Sequence, residues 1–219
     1  MFPIRDERQT SSFPFINYFL ILLNVALFVI EISSPDVDAF ITRYGFTPAG
    51  FVFFEPRSCI AILSSMFLHG GFVHIISNLW FLHIFGDNVE DTMGHFSYLF
   101  FYLFAGFAAA FSQFVLDPSS LIPMIGASGA ISGVAGAYLV LYRYARIEAL
   151  VPTLFGFWDV IKLPAWFFLG YWFVIQVFSG IGSIADINNN IGGIAFFAHI
   201  GGFVFGLIFA KLFARESQV

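Results

Sequence analysis

The chain has 219 residues, of which 59% are hydrophobic and only 11% charged, with a net charge of −5 and a mean hydropathy of +0.86. An ordinary soluble domain carries roughly 25% charged residues, so this composition leaves too few polar side chains to coat a water-facing surface. It excludes a soluble protein, and without a run of basic residues no nucleic acid partner is expected. Cys59 is the single cysteine, so an intrachain disulfide is excluded as well.

Six apolar segments are predicted to cross a membrane as helices, because a spanning helix needs about 20 apolar residues. In chain order they run from Phe13 to Ile32, Phe72 to Val89, Phe96 to Leu116, Gly126 to Tyr144, Pro164 to Ile181 and Ile191 to Phe213. The third segment is apolar on nearly every face, unlike the alternating strands of a membrane β-barrel. The predicted fold class is therefore all-α, a polytopic membrane protein with a six-helix bundle.

The segments outside these spans are short. A cytoplasmic N-terminal segment (residues 1–12) and a cytoplasmic C-terminal tail (residues 214–219) are expected to flank one membrane domain, residues 13–213. Asp6 and Glu7 interrupt the positively charged region with which a signal peptide begins, so no cleavable signal peptide is expected. The loop between the first two spans is predicted to dip into the interface, and residues 149–161 are predicted to lie on the membrane surface.

The orientation in the membrane follows from the positions of lysine and arginine, which favour the cytoplasmic side. If the N-terminus is cytoplasmic, Arg43 and Arg57 lie on the outer side of the membrane. The other seven fall inside: Arg5, Arg8, Arg143, Arg146, Lys162, Lys211 and Arg215. The sequence thus predicts a multi-pass protein of a cell (plasma or inner) membrane with both termini in the cytoplasm.

This topology brings polar side chains to one depth. The second, fourth and sixth spans run in the same direction, and they begin near His74, Ser128 and His199. A polar group in hydrocarbon costs several kcal/mol without a partner, so such residues indicate a functional site. A serine hydroxyl needs a base to become a nucleophile, and a neutral histidine serves as one. No acidic residue neighbours His199 in sequence, Asp186 being the nearest, so a dyad is favoured over a triad.

Small residues on the fourth and sixth spans suggest how these groups could meet. Gly129 follows Ser128, and Gly202 follows His199 on the same face of its helix. Membrane helices approach closely along such faces. The alternative is that the glycines only pack helices and that the serine and histidine satisfy each other structurally.

An acyl-transfer site also needs donors for the developing oxyanion. His74 and Asn78 lie one helical turn apart on the second span, with His69 just before them, and the N–H of Ser128 at a helix start is a further candidate. Alternatively, His74 and Asn78 hold helices together by hydrogen bonds.

Taken in order, these motifs resemble the rhomboid family of intramembrane serine proteases. The matching residues are Gly126-Ala127-Ser128-Gly129, the set His69, His74 and Asn78, Gly86-x-x-x-Glu90-x-x-x-Gly94, and Ala198-His199-x-x-Gly202. The resemblance implies a six-helix core, Ser128 as nucleophile, His199 as general base, and His74 and Asn78 at the oxyanion, with His69, Gly126, Gly129 and Gly202 in support. It also implies transmembrane protein substrates cut in or near the bilayer, with no cofactor.

Two positions differ from the family pattern. Where many members have a Trp-Arg pair before the second span, this chain reads Arg57-Ser58-Cys59, and where some have a tyrosine that stacks on the histidine it has Ser132. Competing functions are a catalytically inactive rhomboid-like adaptor that binds membrane proteins and a small-molecule transporter. A metalloprotease is disfavoured because no H-E-x-x-H pattern occurs, and no metal site is predicted.

Overall fold

The computed structural model describes residues 1–153, 156–185 and 195–215. It is mostly helical, with eight α-helices and three short strands in these ranges. The strands are β1 (Phe2–Asp6), β2 (Arg146–Pro152) and β3 (Trp158–Pro164). The helices are α1 (Phe15–Ile32), α2 (Val37–Tyr44), α3 (Pro56–Ser65), α4 (Phe72–Met93), α5 (His95–Leu116), α6 (Ser128–Leu141), α7 (Ala165–Ala185) and α8 (Phe196–Phe213).

Each of the six predicted spans contains one helix, and four of these are long and apolar enough to cross a membrane. The four are residues 15–32, 95–116, 165–182 and 196–213, in α1, α5, α7 and α8. The other two are α4, which carries three acidic residues near its end, and α6, which has 14 residues. The predicted beginning of the sixth span at Ile191 lies outside the described residues. The chain is thus a multi-pass membrane protein, and the count of six spans stays a prediction.

α6 forms the centre of the molecule. All residues from Gly129 to Tyr138 are buried, and α4, α5 and α8 pack around them. The outer helices instead expose large apolar side chains, such as Leu22, Phe96 and Leu212, which are 67–77% exposed. An apolar outer surface of this extent requires lipid rather than water around it.

The all-α prediction is wrong in one part, because the three strands form an antiparallel sheet in the order β1-β2-β3. Phe2 pairs with Leu150 and Pro152 with Trp158, so the N-terminal segment is joined to the connection between α6 and α7. The described part of the predicted surface segment, residues 149–153 and 156–161, belongs to this hairpin. Ile147 and Ala149 of β2 are fully buried, whereas Phe157, Trp158 and Val160 of the hairpin are exposed.

The loop between α1 and α4 holds two short α-helices and a 3₁₀ helix (Pro48–Gly50), and it is anchored without the Trp-Arg pair. The ring of Phe114 on α5 lies 4.8 Å from that of Phe51 and 5.8 Å from that of Phe53. The Ser58 hydroxyl accepts a hydrogen bond from the N–H of Val52. Aromatic packing on α5 therefore anchors this loop.

The sheet is joined to α6 through Asp6, which gives a prediction of pH dependence. Its carboxylate accepts hydrogen bonds from the Tyr138 hydroxyl (2.6 Å) and the Asn88 amide (2.9 Å). The pKa of Asp6 is raised from 3.8 to about 6, chiefly because burial and the nearby Asp87 carboxylate outweigh the opposing effect of the Tyr138 hydrogen bond. Since the folded protein holds this proton more tightly than the unfolded chain, its contribution to stability is full below pH 3.8 and is lost as the pH rises through about 6.

We expect the unfolding temperature of the wild-type protein in detergent to fall between pH 4 and 6.5 relative to that of Asp6→Asn, whose amide does not titrate in this range. Thermal unfolding of both proteins across the range gives the comparison. Parallel curves would show that the Asp6 carboxyl does not titrate between these values.

Candidate active site

The turn before α6 determines where Ser128 lies. Gly126 has φ +115°, and a Cβ at this position would lie 2.6 Å from His74 Nε2, so only glycine fits beside the imidazole. Its N–H donates to the Ser65 carbonyl at 2.8 Å, which fixes the turn to the end of α3. Ser128 then begins α6, where its own N–H has no intrahelical acceptor.

Glycines bring α6 and α8 into contact along their backbones. A Cβ at Gly202 would lie 2.0 Å from the carbonyl oxygen of Gly129, and one at Gly206 would lie 2.1 Å from that of Gly133. The opposite side of Gly129 has no more room, because its Cβ would lie 2.6 Å from that of Ala109 on α5. This close packing lets short side chains reach from one helix to the other.

Ser128 and His199 meet across these two helices. Ser128 Oγ lies 2.7 Å from His199 Nε2, a hydrogen-bonding distance for a hydroxyl and an imidazole. Both side chains are half-buried. Asp186, the nearest acidic residue to His199 in sequence, lies outside the described residues.

The other side of the imidazole is held by α7, through two contacts that the sequence did not predict. Gln176 Oε1 lies 2.7 Å from His199 Nδ1, and the ring of Trp172 lies 6.0 Å from the imidazole at an angle of 33°. These contacts take the place of the stacking tyrosine, while the Ser132 hydroxyl donates to the Ser128 carbonyl. The signal in the sequence was a lone carboxamide in an apolar segment.

A cavity of about 930 Å³ opens onto this pair. Its polar lining comes from His74, Ser77, Asn78, Ser128, Ser132, Gln176 and His199. Asn78 is only 6% exposed, and among the described residues its Nδ2 has no hydrogen-bond partner. The structure thus places an unsatisfied donor beside the cavity that Ser128 also lines.

His69 lies behind the cavity rather than in its wall. Its ring is 5.1 Å from that of His74 in an edge-to-face arrangement, and its backbone N–H donates to the buried Glu31 carboxylate at 2.9 Å. The pKa of His69 is lowered to about 3, chiefly by burial and in addition by the neighbouring His74. A neutral His69 therefore packs against His74 without direct access to Ser128.

The Gly86-x-x-x-Glu90-x-x-x-Gly94 motif is structural in this chain. The buried Glu90 carboxylate accepts the backbone N–H groups of Ile16 (2.9 Å) and Asn17 (2.7 Å), which caps the start of α1. A Cβ at Gly86 would lie 2.1 Å from the Asn17 side chain, and Gly94 has φ +83° between α4 and α5. The motif thus holds α1, α4 and α5 together at the end away from the cavity.

Comparisons with known proteins agree with this architecture. The family described as Rhomboid domain matches residues 56–216. RHOMBOID-like protein 6, mitochondrial, of Arabidopsis thaliana is 27% identical over 72% of this chain and 44% of its own length. Rhomboid protein 1, mitochondrial, of Saccharomyces cerevisiae is 29% identical over 92% of this chain and 54% of its own length.

A third relative carries the word protease in its name. Rhomboid-like protease 5 of Toxoplasma gondii is 29% identical over 68% of this chain and 15% of its own length. The chain therefore spans between about a seventh and about half of the length of these three relatives. Because the family match extends over most of the sequence, the chain belongs to the rhomboid family.

Proposed function

We propose that this protein is an intramembrane serine endopeptidase that uses a Ser128–His199 dyad. The observation that carries this proposal is the 2.7 Å contact between Ser128 Oγ and His199 Nε2 at the wall of a large cavity. A serine–histidine pair that only held helices together would need no cavity beside it. Since Nδ1 of His199 faces the Gln176 amide rather than a carboxylate, a dyad accounts for the site.

The proposed reaction is acyl transfer. The Ser128 hydroxyl gives its proton to His199 Nε2 as its oxygen attacks the scissile carbonyl, and the imidazolium then protonates the leaving amine. Water, activated by the same histidine, releases the acyl group from Ser128. Asn78 Nδ2, His74 and the Ser128 N–H serve as donors to the oxyanion.

The proposed substrates are transmembrane proteins cut in or near the bilayer. A backbone carbonyl within a regular helix is hydrogen-bonded inside the helix and shielded from a nucleophile. The substrate segment must therefore unwind before Ser128 can attack its carbonyl carbon. The outer face of α7 offers exposed aromatic side chains, including Trp166 and Phe167, where a lipid-embedded helix could approach.

The proposed topology has six spans and cytoplasmic termini. In support, β1 pairs with β2, Glu90 meets the start of α1, and the N–H of Arg215 donates to the Thr92 carbonyl, so the strands, the start of α1 and Arg215 lie at one end of the bundle. That end carries most of the lysine and arginine residues, and a cell membrane is the proposed location. In this arrangement the acidic end of α4 is at the cytoplasmic surface and the cavity is near the outer one.

Labelling with a fluorophosphonate separates an enzyme from an inactive adaptor or a transporter, because the reagent reacts with an activated serine. We expect purified protein in detergent to be modified once, at Ser128, and Ser128→Ala to remain unlabelled. Mass spectrometry of the labelled peptide identifies the site. A folded wild-type protein that is not labelled and cleaves no transmembrane substrate would contradict the proposal.

A further inference from the structure

The amide of Gln176 is buried in a helix that is otherwise apolar around it. Its side chain is 8% exposed, and α7 between residues 165 and 182 is hydrophobic enough to span a membrane. An amide in such a position is costly unless it is hydrogen-bonded. Its Oε1 lies 2.7 Å from His199 Nδ1, so the imidazole is the partner for which the amide is placed.

This contact determines which nitrogen of His199 carries the proton. A carboxamide oxygen only accepts hydrogen bonds, so the Nδ1 facing it must be the protonated nitrogen. Nε2 then presents its lone pair to Ser128 Oγ, 2.7 Å away. That is the tautomer in which the histidine can accept the proton of Ser128.

The same helix also fixes the plane of the imidazole. Trp172 lies one turn before Gln176 on the same face of α7, and its ring lies close to those of His199 and Phe203. One contact holds the edge of the imidazole and the other supports its face. The orientation of His199 therefore depends on α7, whereas its distance from Ser128 depends on α6 and α8.

We propose that Gln176 is a positioning residue that holds His199 in the tautomer and orientation needed to activate Ser128. The inference rests on the proposed function. Gln176 acts through His199 and makes no contact with the reacting bond. A neutral acceptor aligns the imidazole without adding a buried negative charge, which would be costly within the bilayer.

Two substitutions test this role. Gln176→Leu keeps the approximate size but removes the acceptor, and we expect kcat for a transmembrane substrate to fall by about 10- to 100-fold with KM little changed. Gln176→Glu keeps the acceptor and adds a negative charge that stabilises the imidazolium. We expect it to retain more activity than Gln176→Leu and to move the acidic limb of the pH–rate profile to higher pH by about one unit or more.

Gln113→Leu is the matched control, because it removes another carboxamide from a membrane helix, α5, away from the cavity lining. His74 is the other titratable side chain lining the cavity, and it is present in every variant, so it does not account for a difference between them. Unfolding temperatures of all variants are measured in the same detergent.

The outcomes are distinguishable from failure of the proposed function. If the wild-type protein is neither labelled by a fluorophosphonate nor able to cleave a transmembrane substrate, the dyad itself is wrong. If the wild type is labelled but Gln176→Leu matches Gln113→Leu in kcat and pH profile, Gln176 has no positioning role. Equal losses in the Leu and Glu variants, with unchanged pH profiles and lowered unfolding temperatures, would also overturn the inference and leave only a packing role.

Discussion

Replacing Ser128 or His199 with alanine is expected to reduce cleavage of a transmembrane substrate by about 10⁴- to 10⁶-fold, because each substitution removes half of a unit that works only as a pair. The proton would pass between Ser128 Oγ and His199 Nε2, which are 2.7 Å apart. We expect no neighbouring group to replace either residue. The measurement is the initial rate of cleavage of a tagged single-span substrate in detergent and in liposomes.

Ser77→Ala is the matched control for this prediction. Ser77 lines the same cavity, but its hydroxyl donates to the Val73 carbonyl within α4. We expect its rate to stay within a few-fold of the wild type, and all three variants to keep similar unfolding temperatures. Substantial cleavage by folded Ser128→Ala would mean that another group is the nucleophile.

Replacing Asn78 with alanine is expected to lower kcat by about 10² to 10³-fold while changing KM little. Asn78 Nδ2 is buried and lacks a hydrogen-bond partner among the described residues. A donor to the oxyanion is expected to be unpaired in this way before substrate binds. Steady-state kinetics of Asn78→Ala, with Asn78→Asp as a variant of the same shape that lacks the N–H donors, gives the two constants separately.

A different kinetic pattern would change the assignment of Asn78. If KM rises while kcat stays constant, the amide holds the substrate in its ground state and does not serve the oxyanion. If both variants lose stability together with activity, Asn78 holds α4 in place, the alternative that its four-residue spacing from His74 left open.

The sequence predicted the long helices because their signal is local. The stretches around Phe101 and Phe205 are apolar on all faces for the length of a membrane span, which only a helix satisfies. The sheet was missed because its evidence is not local. β1 pairs with residues about 145 positions later, and neither Pro152 nor Gly156 in the hairpin suggests that pairing without the partner.

The candidate site was predictable only where direction and spacing carry information. Ser128, His74 and His199 begin helices that run the same way, and this alone predicts that they share a depth. Gln176 was missed because it lies partway along α7, 23 residues before His199, and no sequence spacing relates the two. Similarly, the role of Gly126 depends on the imidazole next to it in space, which lies 52 positions earlier.

The glycine-to-carbonyl contacts between α6 and α8 also bear on how this protein can be adapted. Because main-chain atoms set the spacing of the two helices, the distance between Ser128 and His199 depends on these glycines, while Gln176 and Trp172 orient the imidazole. Substitutions at exposed wall residues such as Phe72 and Val73 are therefore expected to leave this distance unchanged. Positions 129 and 202 have no such freedom, since an added methyl group would clash with Ala109 on α5 from position 129 and with the Gly129 carbonyl on α6 from position 202.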